Sequence, residues 1–81
     1  MTTADKTLDR MRNNPRDWRI EDLLAVAERH GFQVRNSGGS HHVFTAPVTG
    51  DSLCVPAHRP IKPVYVKRFV TMIDSIREKS A

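Results

Sequence analysis

Two adjacent histidines follow a glycine-rich stretch in the middle of the chain, which reads Gly38-Gly39-Ser40-His41-His42. Histidine is the side chain whose unperturbed pKa, about 6.5, lets it gain or lose a proton near neutral pH. Neighbouring glycines let a phosphate approach the backbone closely. The combination suits cleavage of RNA by its own 2′-hydroxyl, because that reaction needs a base for the hydroxyl and an acid for the leaving oxygen.

Strand parity separates the two histidines. Successive side chains of a β-strand point to opposite faces, so if Phe44 faces the core, His42 shares its side. His41, Val43 and Thr45 then face outward. His41 is therefore the better catalytic candidate, with His42 as the alternative. Taken alone, a pair of histidines after a turn is also typical of an ordinary exposed surface.

Other chemistries fit the residues less well. Ser40 has no nucleophile-elbow motif around it and is better interpreted as a turn residue or a phosphate contact. Cys54 and His58 could join the two histidines around zinc, but the paired cysteine spacing of zinc sites is absent, and a lone cysteine in an apolar strand is usually buried. Asp51 is the only acid in the middle of the chain, which disfavours catalytic magnesium. We expect neither a metal site nor a cofactor.

Composition narrows the class of protein. The chain has 81 residues, 13 Lys and Arg against nine Asp and Glu, and a net charge of +4. Such a short domain has a thin core, which favours an exposed site acting on a large substrate over an enclosed pocket. Positive charge suits a phosphate backbone, although it also serves solubility. One cysteine, a polar N-terminal segment and no long apolar run predict a cytoplasmic protein without membrane association.

The hydrophobic periodicity predicts an α+β domain with the order α-β-β-β-α. Residues 1–15 have few apolar positions and predict a flexible or marginally helical N-terminal arm. Residues 16–81 form the domain: a helix from about Ile20 to His30, a hairpin, a third strand Ser52 to Pro56, and a final helix starting at Pro63. Sequential antiparallel strands imply a three-stranded sheet with both helices on one face and the other face open.

Basic residues cluster in the second half of the chain and could line an RNA path. Together with the glycine turn and Ser40, these residues are the candidates for RNA binding: His58, Arg59, Lys62, Lys67 and Arg68. Arg35 on the first strand could add to the same positive rim. Each of them could equally be an ordinary solvated side chain.

Four segments in order resemble the HicA (YcfA-like) toxins, a family of mRNA interferases. They are an amphipathic helix ending in Gly31-Phe32, the run Gly39-Ser40-His41-His42-Val43-Phe44, the run Val55-Pro56-Ala57-His58, and a basic terminal helix. The resemblance implies a fold similar to the double-stranded RNA-binding domain and metal-independent mRNA cleavage by a strand histidine that maps to His41. Some members place it one position later, at His42. It also implies neutralisation by a HicB-like antitoxin.

Two other classes stay open at this point. The same fold serves non-catalytic double-stranded RNA-binding modules, although these use a lysine cluster at the start of the last helix that the chain does not reproduce. The open sheet face could also bind only a protein. The N-terminal arm, residues 1–15, is longer than the compact family core, and the resemblance implies no role for it.

Overall fold

The computed structural model describes residues 3–36, 39–57 and 60–80, and its elements follow the predicted order with one addition at the start. Three helices and three strands form: α1 Thr3–Asn13, α2 Ile20–Arg29, β1 Gln33–Asn36, β2 His41–Thr45, β3 Ser52–Pro56 and α3 Pro63–Ser80. The α-β-β-β-α order of the predicted domain is thus confirmed. In the part of the chain described, no helix combines the length and the apolar character needed to cross a membrane.

The end of α2 shows why the helix stops where it does. Gly31 has a positive φ of 79°, a conformation that costs glycine little. The N–H of Phe32 donates to the carbonyl of Ala27 at 3.0 Å, and that of Gly31 to the carbonyl of Glu28 at 3.2 Å. This is the Schellman pattern of helix termination, which turns the chain directly into β1.

The sheet is antiparallel with β2 in the centre, in the order β1-β2-β3. Phe44 of β2 lies opposite Val34 of β1 and Leu53 of β3. Phe44 is fully buried and Leu53 nearly so, whereas the alternate positions of β3 are exposed. One face of the sheet therefore carries the core, as the period-two pattern predicts.

Helix α3 covers that face. Its apolar residues recur at three- and four-residue steps along one side of the helix and are all buried: Val66, Phe69, Val70, Ile73 and Ile76. The ring of Phe69 contacts Phe44 edge-on at a centroid distance of 5.4 Å and Phe32 at 5.7 Å. These aromatic contacts join the last helix, the central strand and the end of α2 in one core.

The sequence predicts a flexible or marginally helical N-terminal arm, whereas the structure has a packed helix there. Residues 3–13 form helix α1, which packs against α2 and α3. Leu8 and Met11, three residues apart and therefore on one face of the helix, are buried in the common core. Arg12 ties the helix to α3 through an ion pair with Asp74. Sequence reasoning underestimated this helix because two apolar residues suffice when neighbouring helices supply the rest of the apolar surface.

His30, which caps the C-terminus of α2, lies where the three helices approach one another. Its Nε2 atom is buried and has no hydrogen-bond partner among the described residues. Burial lowers the pKa of His30 from its ordinary value of 6.5, and Arg77 and Arg29 lower it further, while Asp5 on α1 opposes them. The folded protein therefore disfavours the protonated imidazole.

Replacing Leu8 by alanine tests the packing of α1. We expect a loss of about 2–5 kcal/mol of unfolding free energy, because a fully buried leucine leaves a cavity in a small core. Urea titration followed by circular dichroism measures it. Lys6→Ala, a substitution at an exposed site of the same helix, is the control and should change stability little. Equal, small effects of both substitutions would contradict the packing of α1.

His30 makes stability depend on pH. The pKa of His30 in the folded state lies below 6.5, so at a pH below 6.5 the unfolded chain binds more protons at this residue than the folded chain does. The contribution of His30 to the free energy of unfolding should therefore be constant above pH 6.5. It should decrease as the pH falls from 6.5 towards the lowered pKa. His30→Gln should flatten that part of the curve of urea midpoint against pH. An unchanged curve would show that another group is responsible.

Candidate functional site

The site is organised around the turn that leads into β2. Gly39 has a positive φ of 59°, which favours glycine at this position. Among the described residues other than its chain neighbours, no atom lies within 4 Å of the place where a Cβ atom would be. Gly39 and Ser40 are both exposed. Gly38, the other glycine predicted to line the site, lies outside the described residues. A ligand can therefore approach the backbone of the described part of this turn.

His41 is the first residue of β2 and is exposed on the face of the sheet away from the helices. It lies opposite Pro56, which has no N–H to donate. The next bond of the ladder runs from the N–H of Ala57 to the carbonyl of Ser40, at 2.6 Å. The backbone at His41 is thus paired with β3, and its imidazole is presented to solvent from the first position of the central strand.

His42 occupies the opposite face. It lies between Asn36 of β1 and Val55 of β3, and it is half-buried. Its Nδ1 atom is buried and has no hydrogen-bond partner among the described residues. The separation of the two histidines agrees with strand parity, so a ligand on the open face would meet His41 and not His42.

The exposure of Cys54 differs from what the sequence predicts. The sequence predicts that a lone cysteine in an apolar strand is buried, but Cys54 is exposed. The reason is register: Leu53 and Val55 take the buried positions of β3, and Cys54 lies opposite Val43 on the open face. Arg35 of β1 lies on the other side of Val43, and it is exposed.

Three of the residues predicted to bind RNA from the second half of the chain, Lys62, Lys67 and Arg68, lie in the described part of the structure. Lys62 is exposed at the beginning of α3, where its carbonyl accepts the N–H of Tyr65 at 3.0 Å. Lys67 and Arg68 lie further along α3 and line a groove with Asp51, Ser52 and Leu53, whereas His41 pairs with the other end of β3. The described contacts do not bring Lys67 and Arg68 to His41. His58 and Arg59 lie outside the described residues.

The strand geometry also bears on metal binding. His41 and His42 point to opposite faces and cannot both ligate one ion without distorting the strand. In residues 3–36, 39–57 and 60–80, no group of three or more His, Cys, Asp or Glu side chains is arranged to hold a metal ion. The described open face carries the imidazole of His41, the thiol of Cys54 and the guanidinium of Arg35, together with the hydroxyls of Thr45 and Ser52.

One cluster was not singled out from the sequence. Arg10, Arg16 and Trp18 line a polar cleft where α1 meets the start of α2. The guanidinium of Arg10 lies 5.5 Å from the centre of the Trp18 ring. In the sequence, Trp18 precedes the apolar positions of α2, and only the packing of α1 shows that Arg10 lies over its ring. The sequence signal that could have indicated this cluster is the presence of arginines on both sides of the only tryptophan.

Comparison with known proteins identifies the family. The family model described as HicA toxin of bacterial toxin-antitoxin matches residues 20–75, which is more than half of the chain and extends from the start of α2 well into α3. No curated protein and no solved structure gives a significant match. The matched range contains the glycine turn, both strand histidines and the basic part of α3, and it excludes α1. The chain belongs to the HicA family of toxins from bacterial toxin–antitoxin systems.

Proposed function

We propose that this HicA-family toxin is an endoribonuclease that cleaves mRNA, with His41 as a general acid or base. The observation that carries the proposal is the placement of His41: an exposed imidazole on the central strand of the sheet, next to the exposed residues Gly39 and Ser40 and within the family match. His42 is the weaker candidate, because it is half-buried on the core face with an enclosed ring nitrogen.

The proposed reaction needs only proton transfers. A base takes the proton of the 2′-hydroxyl, whose oxygen attacks the adjacent phosphorus; the bond from phosphorus to the 5′-oxygen breaks, and an acid protonates that oxygen. The products are a 2′,3′-cyclic phosphate and a free 5′-hydroxyl. His41 supplies one of the two transfers. Backbone N–H groups of Gly39 and Ser40 would donate hydrogen bonds to the charged phosphate, and Gly38 remains a further candidate from the sequence.

Basic residues would hold the RNA on either side of that phosphate. His58, Arg59 and Lys62 follow β3 in sequence, and β3 ends opposite His41, so they are the first candidates for binding the adjoining nucleotides. Lys67 and Arg68 would extend the positive surface along α3. Phosphate contacts of this kind position a chain without reading its sequence.

An antitoxin partner follows from the family, and we propose that it is a HicB-like protein that covers His41. An exposed site is simplest to inhibit by occlusion. The net charge of +4 favours an acidic inhibitor surface, which would compete with RNA for the same cations. The fold alone would also suit a non-catalytic double-stranded RNA-binding module, which would bind RNA without cutting it.

His41→Ala should abolish RNA cleavage, with a loss of about 10²–10⁴-fold expected for removal of a general acid or base. The thermal unfolding midpoint should change little, because the side chain is exposed. The assay follows a labelled mRNA on a denaturing gel, with and without EDTA, and cleavage should persist with the chelator.

His42→Ala is the matched control for that experiment. It should lower stability more than activity, since the imidazole packs on the core face. Loss of activity confined to the His42 variant would reverse the two roles. RNA binding without cleavage by the unmodified protein would favour the non-catalytic module.

Occlusion predicts that RNA and antitoxin exclude each other. In a titration of labelled RNA bound to the His41→Ala variant, purified antitoxin should release the RNA stoichiometrically, as seen by fluorescence anisotropy. A stable ternary complex would show that the inhibitor acts from a distant surface.

A further inference from the structure

We propose that the cleft formed by Arg10, Arg16 and Trp18 is a second binding site for single-stranded RNA, which holds the nucleotides that flank the cleaved phosphate. The inference rests on the proposed function. Its three proposed binding residues precede the family match, which begins at residue 20, and the cleft lies between α1 and the start of α2.

The cleft offers the two kinds of group that bind a single strand. Arg10 and Arg16 are exposed cations, and Trp18 is a half-buried indole. Stacking on aromatic rings and pairing of guanidinium groups with phosphates are the usual components of single-strand recognition. The indole is held in place, because its Nε1–H donates to the carbonyl of Asn14 at 2.6 Å while the Arg10 guanidinium lies over the ring.

Two hydrogen bonds place this cleft near His41. The N–H of Ile61 donates to the carbonyl of Trp18 at 2.7 Å, and the N–H of Ala57 donates to the carbonyl of Ser40, which precedes His41. Four residue steps separate Ala57 from Ile61, so their Cα atoms are at most about 14 Å apart. Because His41 faces away from the helices, an RNA strand bound there would have to pass around this end of the sheet to reach Trp18.

Carboxylates in the same cleft limit what it can bind. Asp22 accepts the backbone N–H of Arg19 at 3.0 Å and is thereby engaged in capping α2. Asp17 is exposed beside Arg16 and has a φ of 64°, the left-handed conformation that Asn tolerates as well. The cleft is thus not uniformly positive, which suits one or two phosphates close to the arginines and disfavours a duplex lying across it.

The test compares a cleft variant with a charge-matched control, both in the His41→Ala background so that RNA stays intact. The cleft variant is Arg10→Gln with Arg16→Gln. The control is Arg29→Gln with Arg77→Gln, which removes two exposed arginines from the later ends of α2 and α3. Circular dichroism checks that all variants are folded. The probes are fluorescent single-stranded RNAs, one long enough to extend from His41 to the cleft and one of three nucleotides.

We expect the cleft variant to bind the long RNA about tenfold more weakly, and the slope of log affinity against log salt to decrease by about 1.4, or about 0.7 for each lost phosphate contact. The control should change affinity by less than about threefold, and the short RNA should not distinguish the variants. Asp17→Asn should tighten binding of the long RNA. Equal effects of the cleft variant and the control, or an unchanged affinity, would overturn the inference.

Separate outcomes identify which proposal fails. If the protein with His41 intact cleaves RNA but the cleft variant binds the long RNA like its parent, only the second site is refuted. If no variant binds RNA and the intact protein does not cleave it, the proposed function fails as well. Weakened antitoxin binding with unchanged RNA binding would make the cleft a protein contact and overturn the RNA site.

Discussion

The contact between Phe44 and Phe69 holds this small domain together. Both rings are fully buried, and they join the central strand to the longest helix. Because side chains alternate along a strand, the burial of Phe44 also determines the direction of its neighbours: a slip of one residue in the register of β2 would bring His41 onto the core face and expose Phe44. The hydrophobic core thereby sets the direction of the candidate catalytic side chain, although His41 contributes little to that core.

His42 shows the cost of this arrangement. Its ring lies on the core face with a buried nitrogen that has no hydrogen-bond partner among the described residues, and an unsatisfied polar atom of this kind costs about 1–3 kcal/mol. A purely apolar residue would pack there without that cost. His42 is therefore the position in β2 where the sequence departs from what packing alone would select.

Much of the fold and part of the site could be predicted from local patterns. Three signals lie within a few residues of one another in the sequence: the apolar periodicity of α2 and α3, Gly31 at the end of α2, and the alternation around Phe44. Each predicts its own element without reference to the rest of the chain. Two features depended on contacts distant in the chain. Helix α1 is formed around Leu8 and Met11 because α2 and α3 cover them, and Cys54 is exposed because its neighbours take the buried positions of β3. Neither the packing of α1 nor the register of β3 can be predicted from a short segment of the sequence.

Antiparallel topology explains why an added helix can lie near the candidate site. Strand β2 begins, and strand β3 ends, at the same end of the sheet, where His41 lies opposite Pro56. The chain that leaves β3 therefore starts near His41 and continues to α3. On the way, Ile61 binds the backbone at Trp18, immediately before α2. The ion pair between Arg12 and Asp74 and the burial of Leu8 attach α1 to the other two helices. Leu8 and Met11 belong to the same core cluster as Phe44 and Phe69. Because the burial of Phe44 determines the direction of His41, helix α1 supports the core on which the candidate site depends, although it lies outside the family match.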